Sequence, residues 1–386
     1  MKIFIIYFSQ IKIIVFHLQL RFKIETQFLP EGLNESKNII EFTTFTKTYF
    51  MRKRILFVAL FLVQISFPMI HEQTPNDFIS KQTRINQPPY LISGDSIAIV
   101  APAGILKNKQ NMIQQAKELA ENWGLKVVIG TQVFNQNNHF AGTDEERAVD
   151  FQKALDNKNI KAIWCARGGY GSVRVIDRLD FTKFKDNPKW IIGYSDVTVF
   201  HNHLHNLGFE TLHAMMGTSM FFDTEETKES IETLRKALFG EKMSYEIPSS
   251  NWNIKGVAEG ELIGGNLTIM TSVLGSNSEL DTDGKILFIE EIGEYKYAID
   301  RMLQSLKRAG YFTNLKGLIV GDMTNIKRNT TSWGSSIEQL VLNIVSECDF
   351  PVLFDFPAGH EPDNRALIMG RKVKIEVTDN LSKLTF

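Results

Sequence analysis

The sequence predicts an α/β protein: a parallel sheet covered by helices, followed by a smaller domain of mixed strands and helices. Between residues 96 and 207, short apolar strands alternate with helical segments, which is typical of a sheet covered on both faces. After residue 250 the chain becomes richer in strands. A length of 386 residues is enough for two domains of ordinary size.

The elements of the first domain follow from local patterns. The predicted order is strand 96–101, helix 108–123, strand 125–129, helix 143–155, strand 160–166, helix 173–179, strand 190–192, helix 197–207 and helix 224–239. Thr143 and Glu146 have the spacing of a capping box. Because ligands of parallel sheets bind beyond the carboxyl ends of the strands, the turns after Ala166 and Ile192 are the predicted site.

The second domain shows strand patterns at 256–263, 286–290, 315–320, 352–354 and 373–377, and a helical pattern at 298–309. The predicted division of the chain is an upstream extension at 1–50, a signal peptide at 51–70, a linker at 71–92, the N-terminal domain at 93–240, a linker at 241–255 and the C-terminal domain at 256–386.

The prediction of a signal peptide rests on residues 51–70. Arg52, Lys53 and Arg54 precede an apolar run, 55–65, that is shorter than a comfortable membrane span. We expect translation from Met51, export to the periplasm and no stable span in the mature protein. An N-terminal membrane anchor is the alternative, and a cytoplasmic location follows if the segment is not a signal.

Composition excludes several partners. The chain carries 43 Lys and Arg against 44 Asp and Glu, so no overall positive charge favours nucleic acid. Cys165 and Cys348 are too few for a disulfide framework or a cysteine-rich metal site. His201 and His205 have i, i+4 spacing, but no Glu lies between them. The composition and spacing therefore argue against a metal site.

Two turns after predicted strands have residues suited to acyl chemistry. In Gly193-Tyr-Ser-Asp196, a buried strand leads through a tight turn at Ser195 into a helix, as in nucleophile elbows. The plainer reading is that Ser195 or Asp196 caps the helix. In Ala166-Arg-Gly-Gly-Tyr-Gly171, paired glycines can direct backbone N–H groups at an oxyanion, although an ordinary strand-to-helix turn or a phosphate loop are alternatives.

Two further segments could complete a catalytic set. Glu290 and Glu291 end an apolar strand, although solvated loop acids are the commoner explanation of such residues. His360 follows another strand, in a loop with Gly359 and Pro362. A serine hydroxyl needs a base to take its proton, and an imidazole needs a carboxylate to orient it. Ser195, a glutamate and His360 are therefore a candidate triad.

At this point six segments in order resemble one family. They are 94–103 (GDSIAIVAPA), 166–171 (ARGGYG), 192–196 (IGYSD), 260–267 (GELIGGNL), 287–290 (LFIE) with 299–303 (IDRML), and 357–360 (PAGH). The chain resembles the LD-carboxypeptidases, serine peptidases that include muramoyltetrapeptide carboxypeptidase and the microcin C self-immunity peptidase. The resemblance spans about residues 90–386.

The resemblance implies a fold and a triad. The family has an N-terminal Rossmann-like domain and a C-terminal mixed β/α domain, with the active site between them. Ser195 would be the nucleophile, His360 the general base and Glu290 its orienting partner. Glu290 is preferred because the family's glutamate directly ends the apolar strand, and Glu291 is the fallback.

The resemblance also implies the remaining site groups. The backbone N–H groups of Asp196 and of Gly169 or Gly168 would form the oxyanion hole. Arg167 is a candidate for binding the substrate's terminal carboxylate, with Arg365 and several lysines as rivals. The family uses no metal or cofactor, and homodimers are common in it.

The implied reaction is hydrolysis of an L-D peptide bond, through an acyl-enzyme on Ser195, that releases terminal D-alanine from peptidoglycan tetrapeptides. Two alternatives stay open. One is an immunity-type peptidase that cleaves a peptidyl-nucleotide antibiotic, which would need an aromatic slot for the base. The other is a muropeptide-binding protein with a dead triad.

Overall fold

The computed structural model describes residues 85–221 and 225–386. The predicted extension, the signal peptide and residues 71–84 of the predicted linker lie outside these ranges. The helices are α1 (Gln110–Asn122), α2 (Asp144–Asp156), α3 (Thr182–Asp186), α4 (Thr198–Asn206), α5 (Glu225–Phe239), α6 (Leu267–Ser272), α7 (Lys296–Arg308) and α8 (Ile337–Ile344). In the described ranges, no helix combines the length and apolar character needed to cross a membrane.

The strands form two sheets and confirm the predicted α/β class. They are β1 (Ser96–Val100), β2 (Lys126–Ile129), β3 (Ile160–Cys165), β4 (Trp190–Gly193), β5 (Thr211–His213), β6 (Ser244–Pro248), β7 (Gly256–Asn266), β8 (Ile286–Ile292), β9 (Gly317–Thr324), β10 (Val352–Leu353), β11 (Leu367–Met369), β12 (Lys372–Val377) and β13 (Leu381–Thr385).

The first sheet has the order β11-β5-β4-β3-β1-β2. Its strands β1 to β5 are parallel, and β11 is antiparallel to β5. The carboxyl ends of β3 and β4 are therefore neighbours at one edge. The turns after Ala166 and after Ile192 consequently lie side by side, as the sequence predicts.

The second sheet has the order β10-β9-β8-β7-β12-β13-β6. Strands β7, β8, β9 and β10 are parallel, and an antiparallel meander of β12, β13 and β6 extends the sheet. The carboxyl ends of the four parallel strands share one edge, which carries Glu290 on β8 and the loop after β10 that contains His360.

Strand β11 joins the two halves of the chain. It lies within the range predicted for the C-terminal domain, yet it pairs with β5 of the first sheet. The loop 354–366 therefore begins at a strand of the second sheet and ends at a strand of the first. One apolar core is likewise continuous across both sheets and includes Ile192 and Leu212 of the first and Ile286 and Phe288 of the second.

The observed elements agree with the predicted local patterns in some places and depart from them in others. The capping box is confirmed: Glu146 N–H donates to Thr143 Oγ1 at 3.2 Å, and Thr143 N–H donates to Glu146 Oε2 at 2.7 Å. The predicted helix 173–179 is instead two short 3₁₀ segments, Ser172–Arg174 and Ile176–Arg178. Strand β6 lies in the segment predicted as a linker.

Candidate active site

The turn after β4 holds Ser195 in an unusual backbone conformation. Ser195 has φ of 60°, in the left-handed region that non-glycine residues seldom adopt. A Cβ at Gly193 would lie 2.8 Å from Cγ2 of Val197, so the tight turn requires glycine there. A 3₁₀ turn at Ser195–Val197 leads directly into α4. The geometry is that of a strand–turn–helix nucleophile elbow.

The alternative that Ser195 or Asp196 merely caps the helix is wrong for this structure. Neither the 3₁₀ turn nor α4 has a side-chain cap. The Asp196 carboxylate instead accepts the Ser172 N–H at 2.8 Å, which ties the elbow to the turn after β3. Burial raises the pKa of Asp196, and the Ser172 N–H opposes that rise.

The glycine turn after β3 packs against the elbow. A Cβ at Gly168 would lie 3.4 Å from the Asp196 nitrogen and 3.4 Å from the Ser195 Cβ, so this glycine lies directly against the elbow. Gly169 has φ of +100°. Among the described residues, the N–H groups of Gly168 and Gly169 have no hydrogen-bond acceptor. The turn therefore has free N–H donors beside the serine.

Arg147 stabilises the glycine turn through hydrogen bonds from its side chain. Its side chain is fully buried and donates to the Gly171 carbonyl at 2.9 Å and to the Pro102 carbonyl. Its charge is balanced by Asp144. Sequence reasoning missed this residue, because an arginine in the first turn of a helix carries no signal that its side chain is buried.

Glu290 and His360 form a buried pair. His360 Nδ1 lies 2.7 Å from Glu290 Oε2, and the Glu290 side chain is fully buried. Burial by itself lowers the pKa of His360, but the Glu290 carboxylate outweighs it, and the pKa is raised. Since Nδ1 engages the carboxylate, Nε2 is the ring nitrogen left to act as a base.

Glu291, the fallback, is occupied elsewhere. Its Oε2 accepts the backbone N–H and the hydroxyl of Thr268, at 2.8 and 2.7 Å. Its Oε1 accepts the Ile292 N–H at 2.8 Å and the Asn266 amide at 3.3 Å. Glu291 therefore braces the start of α6, while Oε1 of Glu290 has no hydrogen-bond partner among the described residues.

The imidazole lies next to the elbow. The rings of His360 and Tyr194 are 5.0 Å apart, centroid to centroid, and Tyr194 directly precedes Ser195. In the described ranges no hydrogen bond joins the Ser195 hydroxyl to the His360 ring, a bond that in substrate-free enzymes is often long and shortens in the complex. The Asn266 N–H donates to Thr198 Oγ1 at 2.9 Å, which holds the second sheet against the elbow helix.

Asp322, at the end of β9, is a site residue that sequence reasoning missed. Its backbone N–H donates to the Ala358 carbonyl at 2.9 Å, and its carboxylate accepts the Glu361 N–H at 3.1 Å. It thus holds the loop on both sides of His360. Burial raises the pKa of Asp322 to about 7. The available signal was an acid ending an apolar strand, the same pattern as at Glu290.

The two candidate arginines for a substrate carboxylate differ in their pairing. Arg365 is paired with Asp363, through Nε at 3.1 Å and Nη2 at 2.9 Å. Arg167 donates to the Ile105 carbonyl and has no acidic partner in the described part of the chain. Burial and the nearby Arg167 charge lower the pKa of Lys109. Arg167 and Lys109 therefore form a cationic region beside the glycine turn.

The histidine pair has structural contacts. His201 Nδ1 lies 2.8 Å from Thr211 Oγ1 and its Nε2 lies 2.9 Å from the Gly193 carbonyl, so both ring nitrogens are occupied. His205 Nε2 is 3.8 Å from Glu261 Oε2. Over residues 85–221 and 225–386, no group of His, Cys, Asp and Glu side chains has the arrangement of a metal site.

Comparison with known proteins places this site in a family. The family description "LD-carboxypeptidase N-terminal domain" matches residues 97–214, and "LD-carboxypeptidase C-terminal domain" matches residues 259–375. The chain belongs to the LD-carboxypeptidase family. The first match contains Ser195 and the glycine turn, and the second contains Glu290 and His360. The chain is accordingly an enzyme of the carboxypeptidase type, as the sequence predicts.

Individual members of the LD-carboxypeptidase family agree with this assignment. A probable murein peptide carboxypeptidase of Bacillus subtilis is 36% identical over 76% of this chain and 92% of the relative. A murein tetrapeptide carboxypeptidase of Pseudomonas aeruginosa is 28% identical over 72% of this chain and 92% of the relative.

Solved structures match the same region. Muramoyltetrapeptide carboxypeptidase from Oxalobacter formigenes has a TM-score of 0.68 at 28% identity and covers 75% of this chain and 97% of that chain. The microcin C7 self-immunity protein MccF has a TM-score of 0.70 at 23% identity and covers 77% and 97%. The second similarity concerns the fold alone.

Proposed function

We propose that this LD-carboxypeptidase releases the terminal D-alanine from peptidoglycan tetrapeptides, by serine catalysis at Ser195 with His360 as base and Glu290 as its orienting partner. The single observation that supports the proposal most strongly is the 2.7 Å contact between His360 Nδ1 and the buried Glu290 carboxylate. It fixes the imidazole with Nε2 free, beside a serine held on a strained elbow.

Acylation would follow the triad logic. The Ser195 oxygen attacks the carbonyl carbon of the L-D peptide bond while His360 Nε2 takes the hydroxyl proton. The carbonyl oxygen becomes an oxyanion, and the free N–H groups of Gly168 and Gly169, with that of Asp196, are candidates to stabilise it. The imidazolium is stabilised by Glu290.

Acylation is completed, and deacylation follows, by proton transfers through the same imidazole. The tetrahedral intermediate collapses, the C–N bond breaks, and His360 gives its proton to the nitrogen of departing D-alanine. Water then attacks the acyl-enzyme and gives a proton to His360. The C–O bond to Ser195 breaks as His360 passes that proton to the Ser195 oxygen. The products are the shortened peptide with a new carboxylate, free D-alanine and regenerated Ser195.

A carboxypeptidase must also recognise the end of the chain. Arg167 is the arginine near the glycine turn without an acidic partner among the described residues, whereas Arg365 is neutralised by Asp363. We therefore assign the terminal carboxylate of the substrate to Arg167, with Lys109 adding positive charge. An ion pair at this position would select peptides that end next to the scissile bond.

The proposal is tested by Ser195→Ala, assayed for D-alanine release from a disaccharide tetrapeptide. We expect turnover to fall by about 10⁴-fold or more, with an unchanged unfolding temperature. Mass spectrometry of the wild type, quenched during turnover, should detect a peptidyl adduct on Ser195. Full activity of the variant would rule out the serine mechanism. Cleavage of a peptidyl-nucleotide analogue in preference to the tetrapeptide would favour the immunity-type reaction instead.

A further inference from the structure

Two adjoining depressions lie at the edge of the second sheet that carries Glu290. The first, of about 710 Å³, is lined by the aromatic residues Tyr295, Tyr297 and Trp333 and by the polar residues at 329–332. The second, of about 630 Å³, shares Trp333 and Asn329 with it and continues along 334–336. Both volumes are within the range of about 300–1,000 Å³ that is typical of small-molecule sites.

One wall of the first depression is a stack of two tyrosines. The rings of Tyr295 and Tyr297 are 5.7 Å apart with an interplanar angle of 23°. Lys327 lies 5.4 Å from the centre of the Tyr295 ring, and Arg301 lies 5.5 Å from that of Tyr297. Because the rings stack on each other and on cations, this wall offers ring edges and phenol hydroxyls rather than a slot for a planar base.

The opposite side of the depression is open for stacking. Trp333 is 37% exposed, and in the described part of the chain its indole has no ring or cation contact. Asn329, beside it, has an amide oxygen that is buried and has no hydrogen-bond partner among the described residues. An exposed indole and an unsatisfied amide acceptor in one depression would give a ligand a stacking surface and a hydrogen-bond partner.

The depressions follow Glu290 closely enough along the chain to be within reach of a distant part of the substrate. Tyr295 follows Glu290 by five residues, a path of at most about 18 Å. In a tetrapeptide substrate, three residues remain on the far side of the scissile bond, a span of at most about 11 Å to the group that carries the peptide. That group is the amino-sugar disaccharide of peptidoglycan.

We propose that these depressions bind the disaccharide of peptidoglycan fragments, an inference that rests on the proposed function. Trp333 stacks on the C–H face of one sugar, and the Asn329 oxygen accepts an acetamido N–H. Thr330 and Ser332 line both depressions and add hydroxyls for the sugar hydroxyls. Because two depressions share a wall, they suit two linked sugar rings better than the single planar ring system of a nucleobase.

The test compares substrates with and without sugar. KM and kcat are measured on the disaccharide tetrapeptide and on the free tetrapeptide, for the wild type, Trp333→Ala and Asn329→Ala. Trp252→Ala is the matched control, because Trp252 is 38% exposed and lies before β7, at the amino end of that strand. The depressions lie at the opposite edge of the sheet, beyond the carboxyl ends of β8 and β9. We expect Trp333→Ala to raise KM for the sugar-bearing substrate about three- to tenfold with kcat unchanged. KM for the free tetrapeptide should stay constant, as should both values in the control.

Equal changes on both substrates, or no change on either, would overturn the inference without touching the proposed function. Binding of the free disaccharide, measured by calorimetry on wild type and Trp333→Ala, provides a readout that does not need turnover. Binding that is lost in the variant supports the site even if the wild type releases no D-alanine. No binding to the wild type, or tighter binding of adenosine monophosphate at Trp333, overturns it.

Discussion

The carboxylate of Glu290 lies 2.7 Å from Nδ1 of His360, although the two residues are separated by 70 positions in the sequence. Glu290 lies in β8 of the second sheet, and His360 lies on the loop that leaves this sheet for the first. Adjacent Glu291, with nearly the same burial, instead accepts hydrogen bonds from Asn266 and Thr268 at the start of α6 and from the Ile292 N–H. Two neighbouring acids thus have separate tasks, one toward the imidazole and one toward the framework.

This separation predicts different outcomes for two matched variants. Glu290→Gln should lower kcat by about 10⁴-fold, because the amide cannot stabilise the imidazolium and favours the wrong tautomer. Glu291→Gln should leave kcat close to wild type and reduce the free energy of unfolding by about 1–3 kcal/mol. Steady-state kinetics and denaturant unfolding measure both. Loss of activity only in the Glu291 variant would show that the glutamates have been assigned in the wrong order.

The raised pKa of His360 predicts the pH dependence of the reaction. His360 must be neutral to accept the Ser195 proton, so kcat/KM should rise with pH through a midpoint above 6.5, the ordinary value for histidine. In Glu290→Gln the stabilising charge is gone, and NMR titration of His360 should show a lower pKa. An unchanged pKa in that variant would contradict the role of the carboxylate.

The buried carboxyl of Asp322 predicts a pH dependence of stability. Its pKa is raised from 3.8 to about 7, so the folded protein binds a proton that the unfolded chain has released. Stability should therefore fall as pH rises from about 4 to about 7, and level off above that. In Asp322→Asn this part of the slope should disappear from unfolding curves measured across the range. The same slope in both proteins would mean that Asp322 is not the titrating group.

The oxyanion assignment is tested at Gly168. A methyl group there would lie 3.4 Å from both the Asp196 nitrogen and the Ser195 Cβ and 3.3 Å from Cε of Met216, in the space that an oxyanion would need. Gly168→Ala should lower kcat by about 10²–10³-fold. The unfolding temperature should change little, since flexible Met216 can move. Wild-type kcat would place the oxyanion elsewhere.

The assignment of the substrate's terminal carboxylate to Arg167 is tested with variants of two arginines. Arg167→Met should raise KM for the tetrapeptide by at least about tenfold, the loss of one charge-assisted contact. Arg365→Met is the control, because its guanidinium is already paired with Asp363. The wild type should cleave a substrate with an amidated C-terminus poorly. Arg167→Met should not reduce the rate of that cleavage further. If the control variant has the larger effect, Arg365 is the carboxylate ligand.

Export stays a prediction that concerns residues outside the described ranges. A reporter enzyme active only in the periplasm, fused after residues 51–75, should become active, and N-terminal sequencing should find cleavage near residue 70. Replacing Arg52, Lys53 and Arg54 with Asn should reduce export, because the basic region is lost. Retention of the uncleaved segment in the membrane fraction would indicate an anchor.

The elements that sequence predicted best have strong local causes. The capping box of Thr143 and Glu146 and the apolar strands before Ser195 and Glu290 depend on neighbours within a few residues. Strand β11 could not be predicted, since three apolar residues fit equally well beside either sheet. Strand β6 was missed although its signal was present: Tyr245 and Ile247 alternate with polar residues and are buried.

The site was predictable in type and only partly in detail. Glycine pairs, an elbow serine and a loop histidine carry their chemistry in their residue types. The choice between Glu290 and Glu291 depends on which carboxylate faces the His360 loop. Successive side chains of a strand point to opposite faces, and the pairing of β8 with β9 has a register irregularity at this point, so the sequence alone does not decide the choice. The role of Asp322 depends on a loop 36 or more residues away, and no local pattern reports that.

The passage of the chain from β10 back to β11 has a consequence for how such an enzyme can be divided. The first half lacks two things that the second supplies: the first sheet needs its edge strand from the last part of the gene, and the elbow serine needs an imidazole from the same stretch. Neither half is a unit that recombination could exchange on its own. We expect separately produced halves to be poorly soluble, and active enzyme to return only when both are expressed together.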